Sequence, residues 1–441
     1  MGGLEADLAC SPSSIFPSVI SCASIIEFRR QIWYNLVRIR ATEGFFRMTE
    51  ITPDLIGKLV INDEKLFVPK SIIEAIASCV VSPPNDIRQE KERLKKLYKS
   101  YEKKMEPVVV DYSGDVTIDA YSIYYLPRNS LVPKMAFLCC AYNKAFQTLP
   151  KELRILDLGS GTGGVVLGLL DLFNNGVLSG TNLEIFALDV SAEALKRQER
   201  LIDCMGFSNK HVYQLKVDFS EPETYVGITS ALAPWDMIFA ANILTELNEK
   251  SIDTLLQNVS PMLSDTGILV IVEAQRDYIK RQTARIAKNA VNWGLNIYYP
   301  CPPTLICPKP DCWMWREDEF VSPDICFRGE SIGTVEVQKA NWMILSKEQK
   351  TIYDIFHEKN DDLVWGIAAP YKPEFENDKV KHDYEFCTEK GRLKGTIEQD
   401  KSEWLMLLQK ELFKRGSMIG ITSDRKSIEE GWDIVSGFIT Y

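Results

Sequence analysis

Residues 152–164, Glu-Leu-Arg-Ile-Leu-Asp-Leu-Gly-Ser-Gly-Thr-Gly-Gly, hold the first chemistry that the chain offers. Arg154 to Leu158 reads as a buried strand, and Gly159, Ser160, Gly161 and Gly163 form a turn that opens a helix from Val165 to Phe173. Glycines in such a turn bring bare backbone N–H groups and a helix N-terminus up against a ligand. Gly159, Gly161 and Gly164 also satisfy the dinucleotide spacing G-x-G-x-x-G, a weak signal by itself. Asp157 separates the readings, because an acid two residues before the first glycine repels a pyrophosphate and favours a ligand that carries positive charge. The second candidate is Cys301-Pro-Pro-Thr-Leu-Ile-Cys307-Pro-Lys-Pro-Asp-Cys312, three thiols in a proline-rich stretch that can be neither helix nor sheet interior. Its intervals exceed those of structural zinc knuckles. Soft thiolates with Cys-Pro steps suit an iron–sulfur cluster with a distant fourth ligand, for which Cys326 and Cys387 are candidates and His382 a poorer one.

The acid and glycines together, D-x-G-x-G-x-G from Asp157 to Gly163, resemble motif I of the class I S-adenosylmethionine (SAM) methyltransferases, in which the loop faces the methionine part of the cofactor. That resemblance implies roles for two further strand-end acids. Asp189 would accept hydrogen bonds from the ribose hydroxyls and Asp218 from the adenine exocyclic amine. Asn242, in Ala-Ala-Asn-Ile-Leu-Thr-Glu, joins the cofactor-lining set at a place where many methyltransferases put substrate-contacting groups. Neither the D/N-P-P-Y signature of amine-directed enzymes nor a Pro-Cys is present in this segment. No catalytic residue is assigned, since methyl transfer from a sulfonium is a direct displacement in which alignment can supply up to roughly 7 to 11 kcal/mol.

The elements that would position these residues alternate regularly. Strands are expected at 183–190, 211–217, 234–241 and 267–273, with helices at 192–205 and 251–263 between them. This pattern predicts an α/β fold whose parallel sheet binds ligands at the carboxyl ends of its strands. An antiparallel strand, Ala340 to Ser346, should close the sheet. The expected organisation is a helical N-terminal region, 1–110, a class I SAM-methyltransferase (Rossmann-like) domain, 111–347, with a cysteine-rich insertion at 299–330, and a small α/β or barrel-like module, 348–441. Helices are expected at 25–40, 55–60, 71–80 and 88–104, the last with an apolar seam of Leu94, Leu97, Tyr98 and Tyr101. Another should cover 121–146, and Arg276, Lys280, Arg281, Arg285 and Lys288 should form a positive face on the helix after the fifth strand.

With 441 residues, 45% of them apolar, the chain can bury a sizeable core. Its net charge of −10 argues against a protein whose whole surface binds nucleic acid. No 18-residue apolar run and no early positive charge occur, so the expectation is a cytoplasmic protein without a membrane span. The Y-x-x-x-Y-L-P that begins at Tyr121, the glycine turn, and the later P-C-P, C-P and C-W together resemble the ribosomal small-subunit methyltransferase-like family, whose mitochondrial members are of the methyltransferase-like protein seventeen type. The resemblance runs from about Tyr121 to about Gly395. It implies a SAM-dependent methyltransferase-like protein that acts on, or docks to, small-subunit rRNA. It also implies a 4Fe-4S cluster on Cys301, Cys307, Cys312 and Cys387, with Cys326 as the fallback. Pro303 and Cys312-Trp-Met depart from the His and Cys-His-Phe that many relatives carry, which keeps zinc open as the alternative metal. Two other readings stay open: a non-catalytic ribosome assembly factor, and a small-molecule methyltransferase with a structural zinc.

Overall fold

The computed structural model describes residues 68–140, 150–175, 178, 181–207, 212–302 and 337–358, with shorter strand segments at 316–319, 326–327, 330–331, 364–370, 374–376, 379–388, 391–400, 418–421 and 439–440. The helices expected at 25–40 and 55–60, and the thiols of Cys307 and Cys312, lie outside the described residues.

The central sheet is built from β1 (Glu152–Leu158), β2 (Asn182–Asp189), β3 (Val212–Lys216), β4 (Trp235–Ala241), β5 (Leu263–Ala274), β6 (Asn296–Tyr299), β7 (Arg316–Glu319) and β10 (Val337–Ser346). Its order is β3-β2-β1-β4-β5-β10-β6, with β7 continuing beside β10. Strands β1 to β5 pair in parallel, while β10 is antiparallel to both β5 and β6. This is the mixed α/β, Rossmann-like arrangement expected of a methyltransferase fold. The strands are apolar because helices cover both faces: Ile155, Met237, Phe239 and Val270 belong to one core and Leu156, Leu158, Ile238 and Leu269 to the other.

Two helices before the sheet, α1 (Lys70–Cys79) and α2 (Pro84–Lys104), contribute to the first core through Ile72, Ile76, Ile87, Leu94 and Tyr98. The expected seam of α2 therefore faces inward. The expected helix over 121–146 is instead three short ones, α3 (Asp115–Tyr124), α4 (Leu126–Asn129) and α5 (Val132–Cys140), with 141–149 outside the described residues. Pro127 and Pro133 each sit in a first helical turn, where a missing N–H costs nothing, and neither fits a helix interior. Cys139 and Cys140 are buried core thiols, as their apolar surroundings predict.

Helix α6 (Gly164–Asn174) leaves the glycine turn and packs hard against the loop between α4 and α5. A Cβ on Gly168 would come within 2.1 Å of the Ser130 carbonyl oxygen, so only glycine allows this approach. That contact holds α4, with Arg128 and Asn129, over the start of α6. Helix α7 (Ala192–Cys204) is capped by Ser191 Oγ, which accepts from Ala194 N at 3.1 Å. Its Arg197 forms a buried ion pair with Asp119 of α3. Asp119 also accepts from the backbone N–H groups of Val81 and Ser82, at 3.0 and 2.8 Å, so one carboxylate joins α7 to the chain between α1 and α2.

Strands β8 (Cys326–Phe327) and β9 (Glu330–Ser331) pair with each other, and the C-terminal strands, which include β12 (Glu374–Glu376), β15 (Met418–Ile421) and β16 (Ile439–Thr440), form a separate antiparallel sheet in the order β12-β13-β11-β15-β16, with β14 beside β13. Its longest members are β11 (Val364–Pro370), β13 (Lys379–Thr388) and β14 (Gly391–Asp400). The short helix α11 (Ile352–His357) lies between the two sheets in sequence and sends Tyr353 into the first core.

Candidate cofactor and acceptor site

The glycine turn is held by its neighbouring strand. Gly159 N and Ser160 N both donate to Leu188 O at 2.9 Å, and Gly161 N donates to Asp189 Oδ2 at 2.7 Å. Gly159, Gly161 and Gly163 all take left-handed φ values, 69°, 54° and 92°, which explains why the turn is written in glycine. Space is the second requirement. A Cβ added to Gly161 would meet nothing within 4 Å, which leaves open room on the ligand side of the turn.

Asp157 ends β1 beneath this turn, 1% exposed. Its Oδ2 accepts from Ser160 Oγ at 2.6 Å, while its Oδ1 is buried without a partner. Burial pushes its carboxyl up to about 7, against the pull of the Ser160 hydrogen bond. Ser160 Oγ also accepts from Gln198 Nε2 at 2.7 Å, so α7 braces the turn from outside. Asp189 is likewise buried and raised by burial, an effect opposed by backbone N–H groups of Ser191, Gly161 and Val190. Its Oδ1 accepts from Ser191 N at 2.8 Å, and its oxygens keep further lone pairs for a ligand.

Asn242 follows β4 in a left-handed conformation, φ 62°, and its Nδ2 donates to Asn129 Oδ1 at 3.1 Å. The structure thus bonds Asp157, Ser160, Gly161 and Asp189 into one unit and ties Asn242 to the helix above it. Asp218 lies past the end of β3, where its Oδ1 accepts from Ser220 N at 2.8 Å and Ser220 Oγ at 2.6 Å. It shares the same sheet edge, because Val217 N donates to Asp189 O at 2.9 Å, but its carboxylate makes a local turn.

Sequence reasoning missed a wall of charged and aromatic groups at the ends of β4 and β5. Glu273 is 1% exposed; its Oε1 accepts from Leu244 N at 2.7 Å and its Oε2 is buried without a partner. Burial drives its carboxyl up to about 8. Glu246 accepts from Tyr112 Oη at 2.7 Å, and burial raises it to about 7. Tyr98 and Tyr121 share a hydrogen bond of 2.9 Å, and Tyr121 stacks on Tyr125 with ring centres 4.5 Å apart. Arg276 precedes the first residue of helix α10 (Asp277–Asn289) and lies over the Tyr98 ring at 3.7 Å, so it faces this wall and not the outer face expected for it. On that outer face Lys280 pairs with Asp277 and Arg285 with Asp253, while Arg281 and Lys288 are exposed. Glu273 was findable, for it ends its strand as Asp157 and Asp189 end theirs.

Polar atoms buried without partners are costly, about 1–3 kcal/mol each, and accumulate where a ligand supplies the missing bonds. Among the described residues they include Asp157 Oδ1, Thr245 Oγ1, Glu273 Oε2, Arg128 Nε and Arg276 Nη1, all at this carboxyl edge. The buried Asp157 oxygen and the open side of Gly161 fit a nucleoside donor with a cationic tail.

One side chain, Tyr353, touches both the start of the cysteine-bearing segment and the second sheet. The Tyr353 hydroxyl is 3.0 Å from Pro300 O and 2.9 Å from Cys387 O, its single proton shared between the two carbonyls. The backbone carbonyls of Pro300 and Cys387 therefore lie near each other, and Cys301 and Cys387 are both half-buried. Among the described residues no three metal-ligating side chains converge.

Residues 156–269 match the family model described as "Methyltransferase domain". A stretch of 119 residues, 27% of the chain, is 33% identical to the hybrid PKS-NRPS synthetase iliA of Neonectria sp. strain DH2, of which it spans 3%. A TehB-like SAM-dependent methyltransferase from Corynebacterium glutamicum is similar over 59% of this chain and 100% of that one, with 14% identity and a TM-score of 0.29. NSun6 from Pyrococcus horikoshii is similar over 44% and 47%, with 16% identity and a TM-score of 0.29. Among the described residues no helix is long and apolar enough to cross a membrane.

Proposed function

We propose that this chain binds S-adenosylmethionine at the turn after β1 and works as a SAM-dependent methyltransferase-like protein on, or docked to, RNA of the ribosomal small subunit. The observation that carries the donor reading is the buried Asp157 carboxylate under a glycine turn that is open at Gly161. When bound, the donor supplies an electrophilic methyl group on a sulfonium. This chain's part is to hold and align: Asp157 favours positive charge, the turn gives backbone N–H groups, and Asp189 keeps lone pairs for hydroxyl donors. The RNA reading rests on the tyrosine, glycine and cysteine signature of the sequence, with Arg281 and Lys288 exposed on α10 as groups suited to phosphate. Incubating the full chain with labelled SAM and immature small subunits tests it. Methyl incorporation into RNA supports the enzyme; subunit binding without incorporation leaves an assembly factor.

A second reading concerns the metal. The Tyr353 bridge supports Cys387, rather than Cys326, as partner of Cys301 in a cysteine-ligated 4Fe-4S site completed by Cys307 and Cys312. Iron and sulfide counts on anaerobically purified protein decide between the cluster and zinc. Loss of colour in Cys387→Ser but not in Cys326→Ser is the expected pattern, and the reverse removes Cys387 from the ligand set.

A further inference from the structure

Arg128 and Arg276 come from elements almost 150 residues apart, yet their guanidiniums lie on neighbouring aromatic rings. Arg128 is 4.6 Å from the centre of the Tyr125 ring and Arg276 is 3.7 Å from that of Tyr98, and the two rings meet edge-on at 6.4 Å. Arg128 Nε and Arg276 Nη1 are buried with no acceptor, and neither residue forms an ion pair among the described residues. Both residues are half-buried, and two like charges held side by side are unfavourable, while each unmet donor adds a desolvation cost. The tyrosine faces compensate in part, by up to about 2 kcal/mol for a desolvated guanidinium. Glu246 and Glu273 lie near Arg276 without pairing with it, and burial holds both carboxyls toward their neutral form, so they neutralise the arginines incompletely. The position is specific. Asn129, the neighbour of Arg128, bonds Asn242 and packs on Gly164, which places the pair beside the glycine turn.

We infer that Arg128 and Arg276 form an oxyanion subsite of the cofactor and acceptor pocket, one that takes a carboxylate or phosphate group of a bound ligand. This inference rests on the donor reading only for which ligand brings the anion. If the donor does, the group is its amino-acid carboxylate; if the acceptor does, it is a phosphate. Planar guanidinium forks suit either oxyanion through paired hydrogen bonds, which a lysine cannot copy.

The test measures, on full-length wild type and on Arg128→Gln, Arg276→Gln and the two Lys variants, the affinities of S-adenosylhomocysteine and of methylthioadenosine, which lacks the amino-acid carboxylate. Thermal melts in acetate, phosphate and chloride at constant ionic strength accompany them. Expected is a tenfold to hundredfold loss of S-adenosylhomocysteine affinity in the Gln variants, a smaller loss in the Lys variants, and a change under threefold for methylthioadenosine. If the acceptor brings the anion, both nucleosides bind unchanged while phosphate stabilises wild type and not the Gln variants. In either case the ligand-free Gln variants melt no lower than wild type, because they relieve the repulsion between two like charges that no ion pair among the described residues offsets. Equal losses for both nucleosides, a lowered ligand-free melting temperature, or anion responses and affinities all unchanged would each overturn the subsite. A wild type that binds neither nucleoside defeats the donor reading alone, and the phosphate and acetate melts then decide the subsite.

Discussion

The glycine turn and the Tyr353 junction gather functional groups in opposite ways. At the turn, Asp157, Ser160 and Gly161 lie within five residues, and short backbone bonds to β2 fix them. At the junction, Pro300 and Cys387 are 87 positions apart in sequence and both offer a backbone carbonyl to the Tyr353 phenol. The first site is set by local geometry and should survive loss of any one distant contact. The second depends on the docking of one sheet on another and should be sensitive to a single atom. Substitutions near the turn are thus expected to divide into those that change ligand affinity and those that remove its external braces, whereas at the junction the two effects should not separate.

The largest effect is expected at the brace. Arg197→Met leaves the Asp119 carboxylate buried without its cation, and breaking such a pair costs about 3–5 kcal/mol. Urea unfolding should show a midpoint shift of that size with the slope unchanged. A loss under 1 kcal/mol would mean that the Val81 and Ser82 N–H groups alone satisfy Asp119.

Next comes the junction. Tyr353→Phe keeps the ring in the core and removes the hydroxyl that Pro300 O and Cys387 O share, for an expected loss of about 2 kcal/mol. Hydrogen exchange should quicken in β13 and around Tyr299, with nucleoside affinity unchanged. Protection unaltered in β13 would show that the sheets are held by other contacts.

At the turn itself, Gly161→Ala places a methyl group in the open space and forces a left-handed φ on an L-residue, about 1 kcal/mol of strain. Nucleoside affinity should fall about tenfold while the melting temperature drops by only a few degrees. Equal affinity would place the ligand elsewhere on the sheet edge.

The sequence made the turn and the strand order readable because both are written in short spacings: an acid, glycines, and apolar runs in alternation with helices. Glu273 shares the strand-end rule and was readable in principle. Arg128, Arg276 and Tyr98 were not, since their meeting depends on how α2, α4 and the start of α10 are placed by the fold. Arg276 illustrates the limit. Counted with Lys280, Arg281, Arg285 and Lys288 it looks like one more charge on an outer helix face. Standing one residue before the helix, it lies on the Tyr98 ring instead. The nearness of the Pro300 and Cys387 carbonyls at Tyr353 was likewise not readable, since it depends on contacts between distant segments.

The smallest effect concerns charge at the turn. Asp157 is raised to about 7 by burial, and a carboxyl raised in this way binds its proton more tightly folded than unfolded. Its contribution to stability is therefore present at low pH and declines as pH rises from about 4 to about 7, and Glu246 and Glu273 act in the same direction up to about 8. The ligand-free chain should melt higher at pH 5.5 than at pH 8.5. A cationic ligand has the opposite pH preference, because an ionised Asp157 attracts a sulfonium and not a neutral thioether. The ratio of SAM to S-adenosylhomocysteine affinity should thus rise several-fold between pH 6 and pH 8, a comparison in which the amino-acid group common to both ligands largely cancels. Asp157→Asn should flatten that rise. A ratio independent of pH in the wild type would mean that Asp157 braces Ser160 and does not sense the charge of the donor.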